Sequence, residues 1–333
     1  MYTLIVSIIV FGALIFFHEL GHFVTAKLCG IKVNEFSLGF GPGVFSVKKG
    51  ETLYSVRVLP LGGYVRMEGE NEKTQDPRAF SNKSVPARMA VIIAGPMMNL
   101  VLAVILIAVI GFFAGVATTK VTVIPGSPAD ISGIEDGDVI LAVDDRKVGS
   151  WDETVSLISQ RPNQTLKVEV LRDGRKMAFN VKSLVDPDTK RGIIGIKSVI
   201  IRYSPLQSLM SGIQKTLWIS SMIFTSIPQL VGGKGVADLV GPLGIVHLVG
   251  EAARVGIFNV LYLTAFISIN LGLINLLPIP ALDGSRLIFL VVEFLRGKPV
   301  DPEKEGLIHF IGFALLMILM GFVLYRDFVR LYM

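Results

Sequence analysis

The chain has 333 residues, of which 51% are hydrophobic and only 18% are charged, and its mean hydropathy is +0.62. Ordinary soluble domains carry about 25% charged residues, so this composition excludes a chain built only of soluble domains and indicates a membrane protein. The net charge is +5 and the pI is near 9.2. No nucleic-acid-binding motif or aromatic-interleaved basic patch accompanies this charge, so nucleic acid is not expected as a partner.

Four segments are long enough to cross a bilayer, which takes about 20 apolar residues. They are residues 1–23, 89–117, 257–282 and roughly 306–325. The first segment has no basic n-region and no small-residue cleavage site, so we expect it to stay in the chain and not to be removed as a signal peptide. The sequence therefore predicts an α-helical polytopic membrane protein with about four transmembrane helices.

The first span contains His18, Glu19 and His22, which form the HExxH arrangement of metallopeptidases. Residues four apart share one face of a helix, so both imidazoles can face one metal ion while Glu19 reaches the attacking water. Zinc suits imidazole ligands and polarises a scissile carbonyl, which predicts one Zn2+ per chain with Glu19 as the general base. Ionisable groups are costly in a membrane helix, which favours this interpretation over two ordinary hydrogen-bonded histidines.

A third protein ligand is expected in the run from Asn275 to Gly284, where Asp283 is the best candidate. Pro278 and Pro280 cannot continue the hydrogen-bond ladder of a helix, so the chain should unwind just before this carboxylate. Gly284 gives the backbone freedom immediately after it. The alternative is a helix-ending turn with a solvated aspartate.

The distribution of basic residues predicts the orientation in the membrane. Residues 24–88 contain ten Lys or Arg and residues 284–305 contain four, so both loops are expected on the cytoplasmic side. Residues 118–255 and both termini are then expected on the extracytoplasmic side. Seventeen residues precede His18, about 25 Å of helix, which places the metal near the cytoplasmic side of the bilayer.

Several motifs together resemble the site-2 protease family of intramembrane metalloproteases. They are HExxH in the first span, Gly95-Pro96-Met-Met-Asn99 in the second, a run from Asn270 with the pattern Asn-x4-Asn-x2-Pro-x-Pro-x-Leu-Asp-Gly, and a PDZ-like insert. The resemblance covers nearly the whole chain and is strongest to the bacterial branch that carries out regulated intramembrane proteolysis. It implies a multi-pass protein of the bacterial inner membrane in which HExxH and Asp283 hold the zinc.

The resemblance also implies the substrates. Members of this branch typically cut single-span membrane proteins such as anti-sigma factors, and in some cases remnant signal peptides. We therefore expect a zinc-dependent intramembrane endopeptidase that acts after an upstream site-1-type protease has removed the substrate ectodomain. A catalytically silent PDZ scaffold and a transporter are the alternatives. The intact HExxH and Asp283 argue against the first, and the insert has no purpose in the second.

Two asparagines are candidates for substrate contact. In the family, the asparagine eight residues before the ligand aspartate helps to hold the substrate backbone, and here that residue is Asn275. Its amide can donate to a peptide carbonyl or to a developing oxyanion. Asn270 and Asn99 are weaker candidates for the same contact. The alternative for all three is a plain interhelical hydrogen bond.

Residues 36–68 are typical of extended structure. The stretches Val44–Val47 and Thr52–Leu59 are joined by a polar, Gly-containing connection, which predicts a hairpin. By the resemblance this β-element is associated with the membrane on its cytoplasmic side. An intramembrane protease must hold its substrate extended, and adding the substrate as a strand to a sheet edge would do so. We assign that contact to Gly62, Gly63, Tyr64, Val65 and Arg66, with a purely structural hairpin as the alternative.

Residues 118–200 resemble a bacterial, circularly permuted PDZ domain, which is an α+β module. The resemblance rests on the Pro125–Ile140 segment, a helix-like Trp151–Gln160 and a strand at Thr165–Leu171. A late loop resembles the one that presents backbone amides to a bound peptide. It consists of Gly192, Ile193, Ile194, Gly195 and Ile196. Peptide binding and a size filter against bulky ectodomains are both open interpretations.

The predicted division of the chain follows from these features. Residues 1–117 form the first part of the membrane core, 118–200 the PDZ domain, 201–256 interfacial amphipathic helices, and 257–333 the second part of the core. Residues 208–231 are apolar enough for a further span, but Asp283 would then lie on the opposite side of the membrane from His18. We therefore predict that they lie on the membrane.

Overall fold

The structure is a computed structural model that describes residues 2–70, 74–231 and 241–332. Its contacts divide the chain into two compact units, Met1–Ile110 with Gln207–Met333, and Gly111–Leu206. The helices are α1 (Tyr2–Leu28), α2 (Val85–Phe113), α3 (Pro128–Ile131), α4 (Trp151–Ser159), α5 (Pro205–Val231), α6 (Pro242–Val255), α7 (Ile257–Leu276), α8 (Asp283–Arg296) and α9 (Pro302–Tyr332). The strands are β1 (Val33–Lys49), β2 (Thr52–Met67), β3 (Val116–Val123), β4 (Val139–Val143), β5 (Arg146–Lys147), β6 (Thr165–Arg172), β7 (Arg175–Lys182), β8 (Leu184–Val185), β9 (Gly192–Ile193) and β10 (Ile196–Ile201).

Four helices of the described residues, α1, α2, α7 and α9, are long and apolar enough to cross a membrane. Each overlaps one of the four segments predicted from hydropathy. This confirms a helical membrane core at the level of length and composition. The third of these four helices, α7, ends at Leu276, before Pro278 and Pro280. Leu277 is extended with a ψ of 149°, as expected for a residue that precedes proline.

The region between the insert and α7 forms α5 and α6, while residues 232–240 of the predicted 201–256 region lie outside the described residues. Gly212 of α5 lies against the backbone of α2 near Val104, and Gly250 of α6 lies against Thr3 of α1. The carboxylate of Asp327 in α9 accepts hydrogen bonds from the backbone N–H groups of Gly241 and Gly244. These N–H groups belong to the start of α6, so α9 caps that helix.

The strands β1 and β2 form a bent ribbon that folds back on itself. The predicted hairpin is present, since Lys49 pairs with Thr52 and Val47 with Tyr54. Residues 35–38 form a middle strand that pairs on both edges. One edge pairs with residues 63–66 and the other edge pairs with residues 53–56. The stretch 63–67 is therefore an outer strand, and within the described residues no strand pairs with its second edge.

A buried carboxylate holds this ribbon together. Glu35 is 1% exposed and accepts hydrogen bonds from Arg57 at 2.6 Å, Arg66 at 2.9 Å and Ser55 at 2.7 Å. Burial raises the pKa of the Glu35 carboxyl, but the hydrogen bonds from Arg57, Ser55 and Tyr64 more than offset it, so the pKa lies below its ordinary value. Glu35 lies on the middle strand, Arg66 on the outer strand and Arg57 on the stretch that pairs with the opposite side of the middle strand, so one carboxylate connects three adjacent strands.

The second unit is an α+β module. Its six-stranded sheet has the order β10-β3-β4-β6-β7, with β5 paired to β4, so β10 is an edge strand. Fully buried apolar side chains of the sheet, among them Ile140, Leu166 and Val168, pack with Ile158 of α4. The five residues of the predicted peptide-binding loop do not form one continuous loop in this module. Gly192 and Ile193 pair with β8, Ile194 is buried in the core, and Ile196 begins β10.

Candidate active site

Three ligand-type side chains meet between α1 and α8. The Nε2 atoms of His18 and His22 are 3.3 Å apart, and the Asp283 Oδ2 atom lies 3.2 Å from the first and 3.6 Å from the second. One ligand atom from each residue lies within 4.8 Å of the others, a spacing suited to a single metal ion. The predicted ligand set is thus brought together, although the two histidines lie more than 250 residues before the aspartate in the sequence.

The position of Asp283 depends on a tight reversal between α7 and α8. The chain leaves α7 at Leu276, and α8 begins with Asp283 itself. Gly284 lies so close to the carbonyl groups of Leu276 and Leu277 that any side chain there would overlap them. As the first residue of α8, the carboxylate also lies at the positive end of the helix dipole, which favours its charged form.

A third helix supports both histidines. Val91, Gly95 and Asn99 are spaced four apart on α2 and therefore share one face. The His22 Nδ1 atom lies 2.8 Å from the Val91 carbonyl oxygen. Gly95 lies against the His22 ring, where an added Cβ would overlap the imidazole. The Asn99 amide lies 3.2 Å from the His18 Nδ1 atom.

The two helices approach closely because both carry glycine at the crossing. Gly21 of α1 lies against the Ala94 carbonyl and Gly95 of α2, and a Cβ on Gly21 would overlap them. Small residues at such crossings are a general device of membrane helices. Sequence reasoning identified Gly95 only as part of a family motif, proposed Asn99 for substrate contact and not for contact with His18, and missed the roles of Gly21 and Val91. The four-residue spacing of Val91, Gly95 and Asn99 was the available signal.

The donor set fits a metal ion. If Nε2 of each imidazole binds the metal, each Nδ1 carries the proton and needs an acceptor. The Val91 carbonyl supplies one for His22. For His18 the structure places the Asn99 Nδ2 atom toward Nδ1, while the Asn99 Oδ1 atom is buried and has no hydrogen-bond partner among the described residues. The two amide atoms of Asn are interchangeable in shape, and turning Oδ1 toward His18 satisfies both groups.

The predicted base lies between the histidines and the outer strand of the ribbon. Glu19 follows His18 on α1, and its Cγ atom would be 3.0 Å from a Cβ on Gly63. The same position on Gly63 lies 2.9 Å from Ile15 and from the Ser37 carbonyl oxygen. The strand backbone therefore passes directly beside the carboxylate, and only a glycine at position 63 fits there.

The other predicted substrate residues lie in different surroundings. Tyr64 stacks on Phe40, and Arg66 pairs with Glu35. Val65 is buried in the core that α1, α2 and the ribbon share. Asn270 donates its amide to the Phe266 carbonyl of its own helix at 2.9 Å. Gly62 has a φ of +120° and lies against the Phe40 ring. Asn275 is half-buried at the end of α7.

The chain matches a known peptidase family and individual bacterial relatives over nearly its whole length. The model of peptidase family M50 matches residues 6–319. The zinc metalloprotease RasP of Geobacillus kaustophilus is 34% identical over 414 residues, with 98% of this chain and 97% of the relative covered. The regulator of sigma-W protease RasP of Bacillus subtilis is 33% identical over 421 residues, with 99% of each covered.

A solved structure also resembles part of the chain. The PDZ domain of the SdrC-like protein from Listeria monocytogenes is 22% identical with a TM-score of 0.23, and the match covers 26% of this chain and 90% of that domain. The family assignment does not depend on this match. The family model and the relatives cover nearly the whole chain and confirm the resemblance drawn from its motifs. The chain belongs to peptidase family M50, the site-2 protease family, and is a metalloprotease.

Proposed function

We propose that this chain is an intramembrane endopeptidase that binds one zinc ion per chain through His18, His22 and Asp283, with Glu19 as the general base. The observation that supports it most is the convergence of the two Nε2 atoms and Oδ2 within 4.8 Å of one another. Two imidazoles and one carboxylate leave a fourth position open, which is the usual arrangement of a catalytic zinc site. The Geobacillus kaustophilus relative is named a zinc metalloprotease.

The chemistry follows from the position of each side chain. When bound, zinc supplies a Lewis acid that polarises the scissile carbonyl and acidifies water. Glu19, beside both histidines on α1, takes the proton of the attacking water and delivers it to the leaving amine. The Val91 carbonyl and the Asn99 amide hold the two imidazoles in the tautomer that leaves Nε2 free for the metal.

The outer strand beside Glu19 would bind the substrate. Residues 63–67 have a free edge within the described residues, and Gly63 lies against the base. An extended peptide added to this edge would run past Glu19 with its amide groups held by the backbone of Gly62–Arg66. The side chains of Tyr64, Val65 and Arg66 pack within the ribbon and its core. Asn275, eight residues before Asp283, would donate to the substrate backbone. Asn270 has an amide hydrogen bond to its own helix, which makes Asn275 the stronger candidate.

The site would lie near the cytoplasmic side of a bacterial inner membrane. Basic residues concentrate between the first two spans and between the last two, which places these loops in the cytoplasm and both termini outside. The bend of the ribbon exposes large apolar side chains that would enter the lipid. They are Phe40, Val44, Phe45, Val58 and Leu59. Residues 118–200 would form an extracytoplasmic PDZ domain.

The substrates would be single-span membrane proteins whose ectodomain an upstream site-1-type protease has already removed. The Bacillus subtilis relative is named a regulator of sigma-W protease, which favours anti-sigma-factor-like substrates, with remnant signal peptides as a second group. The PDZ domain would either bind the new end of the shortened substrate, through Gly192–Ile196 and the edge strand β10, or exclude substrates with a bulky ectodomain.

The test uses the purified chain in detergent with single-span substrates that lack or retain an ectodomain. Wild type should cut the shortened substrates, and Glu19→Gln should cut none while both proteins hold about one zinc per chain. Inhibition by a peptide with the new C-terminus would favour binding by the PDZ domain, and exclusion of long substrates without such inhibition would favour the filter. Cleavage by Glu19→Gln at the wild-type rate would contradict the proposal.

A further inference from the structure

The loop that precedes Asp283 has a strained backbone. Residues 277–282 connect α7 to α8, and Ala281 in this loop has a φ of +74°. This left-handed conformation is rare for residues other than glycine and is unfavourable, so it persists only where the surroundings enforce it. Ala281 lies two residues before the proposed metal ligand. The contacts that enforce its conformation therefore bear on the position of the carboxylate.

One of these contacts comes from a histidine of α9. The backbone N–H of Ala281 donates to the Nδ1 atom of His309 at 3.2 Å. The same ring packs edge-on against Phe289 of α8, with centroids 5.8 Å apart. His309 therefore contacts both the loop before Asp283 and the helix after it.

A second contact lies one turn further along α9. Gly312 is three residues after His309 and faces the same side of the helix. It is buried against Pro280, and a Cβ at this position would overlap Pro280 and come within 2.9 Å of its Cα and carbonyl carbon atoms. Only a glycine allows α9 to approach the loop this closely.

The rest of α9 is weakly packed against protein. In its membrane-spanning window only 6% of residues are buried, and near its end Asp327 accepts hydrogen bonds from the start of α6. The contacts of His309 and Gly312 are therefore concentrated on the loop before Asp283. A helix whose only role was to pack against the membrane core would bury more of its length.

We infer that His309 and Gly312 are positioning residues of the metal centre, which hold the loop 277–282 so that the Asp283 carboxylate meets the two imidazoles. The inference rests on the proposed assignment of Asp283 as a zinc ligand. Neither residue belongs to the proposed ligand set. They act through the Ala281 N–H and the close approach to Pro280, so that α9 determines how firmly the third ligand is held.

The test measures zinc release from the full chain in detergent to a chelating indicator. His309→Asn keeps an acceptor near the position of Nδ1, whereas His309→Gln places its polar group near Nε2 and His309→Ala removes both. The inference predicts zinc affinity close to wild type for the Asn variant and about 10–100-fold weaker binding for the Gln and Ala variants, as for other residues that orient metal ligands. Cleavage of a single-span substrate should follow the same order.

Gly312→Ala provides an independent variant with a matched control. It should weaken zinc binding, whereas Gly321→Ala on the same helix should not, because an added Cβ at Gly321 meets nothing within 4 Å. Both changes raise helix propensity equally. If Gly312→Ala does not fold, the zinc affinities of the three His309 variants test the inference on their own. Wild-type affinity in His309→Gln and His309→Ala would overturn the inference. Wild-type affinity in Asp283→Ala would instead refute the proposed ligand set.

Discussion

The amide of Asn99 lies 3.2 Å from the Nδ1 atom of His18, so a side chain of the second membrane helix contacts the first proposed zinc ligand. Asn99→Leu removes the acceptor, while Asn99→Asp retains an oxygen in the same place. Zinc affinity should fall by about 10–100-fold in the Leu variant and less in the Asp variant. Competition with a chelator measures both.

Asn270→Leu is the matched control for this change. It also removes an asparagine from a membrane helix, but the Asn270 amide donates to the Phe266 carbonyl of its own helix. Its zinc affinity should equal that of wild type. Equal zinc affinities for Asn99→Leu and Asn270→Leu would mean that the Asn99 amide does not orient His18.

A glycine on α2 makes room for the second ligand. In Gly95→Ala the new methyl group would overlap the His22 ring, which forces the imidazole away from the metal or the two helices apart. We expect zinc content and proteolysis to be lost together. Gly12→Ala in α1, where an added Cβ meets nothing within 4 Å, should retain both. Zinc analysis of the two purified variants makes the comparison, and full zinc occupancy in Gly95→Ala would contradict this packing.

Sequence reasoning predicted all three members of the proposed ligand set because the signals are local. The spacing of His18 and His22 is a helical period, and two prolines before Asp283 predict where a helix must end. The supporting contacts were not predictable in the same way. That Gly95 faces His22, or that His309 holds Ala281, depends on how separate helices cross. A single sequence carries no period or spacing that connects residues on different helices.

The β-element shows the same limit. Alternation and a Gly-containing turn predicted the hairpin and the short extended piece after it. The pairing of residues 35–38 with two different stretches of β2 was not predicted, because both stretches are equally strand-like. The burial of Glu35 at the centre of the ribbon was not predicted either, since a glutamate in a strand usually lies on the surface. Its burial follows from two arginines that approach it only in the folded sheet.

Glu35→Gln should loosen the outer strand that lies beside Glu19. The amide cannot balance the charges of Arg57 and Arg66, and we expect a cost of about 1–3 kcal/mol. Amide hydrogen exchange within residues 33–38 and 63–67 should become faster. Glu51→Gln, which breaks only the exposed pairs with Lys27 and Arg78, should leave exchange in these stretches unchanged.

The same carboxylate predicts a pH dependence. Because the pKa of Glu35 is depressed in the folded chain below its ordinary value of 4.5, its stabilisation is complete at neutral pH and is lost as the pH falls through the lower folded value. The difference in thermal unfolding midpoint between wild type and Glu35→Gln should therefore be constant at mildly acidic pH and shrink only below the ordinary value. A difference that shrinks already near neutral pH would contradict this assignment.

The most direct test of the metal centre is X-ray absorption at the zinc edge of Asp283→Cys, prepared in a Cys29→Ser background so that the chain contains one thiol. If residue 283 is a ligand, the spectrum should gain one sulfur neighbour at about 2.3 Å beside two imidazole nitrogens at about 2.0–2.1 Å. The Cys29→Ser protein alone should show only nitrogen and oxygen neighbours. Stoichiometric zinc in Asp283→Cys without a sulfur neighbour would contradict the proposed centre.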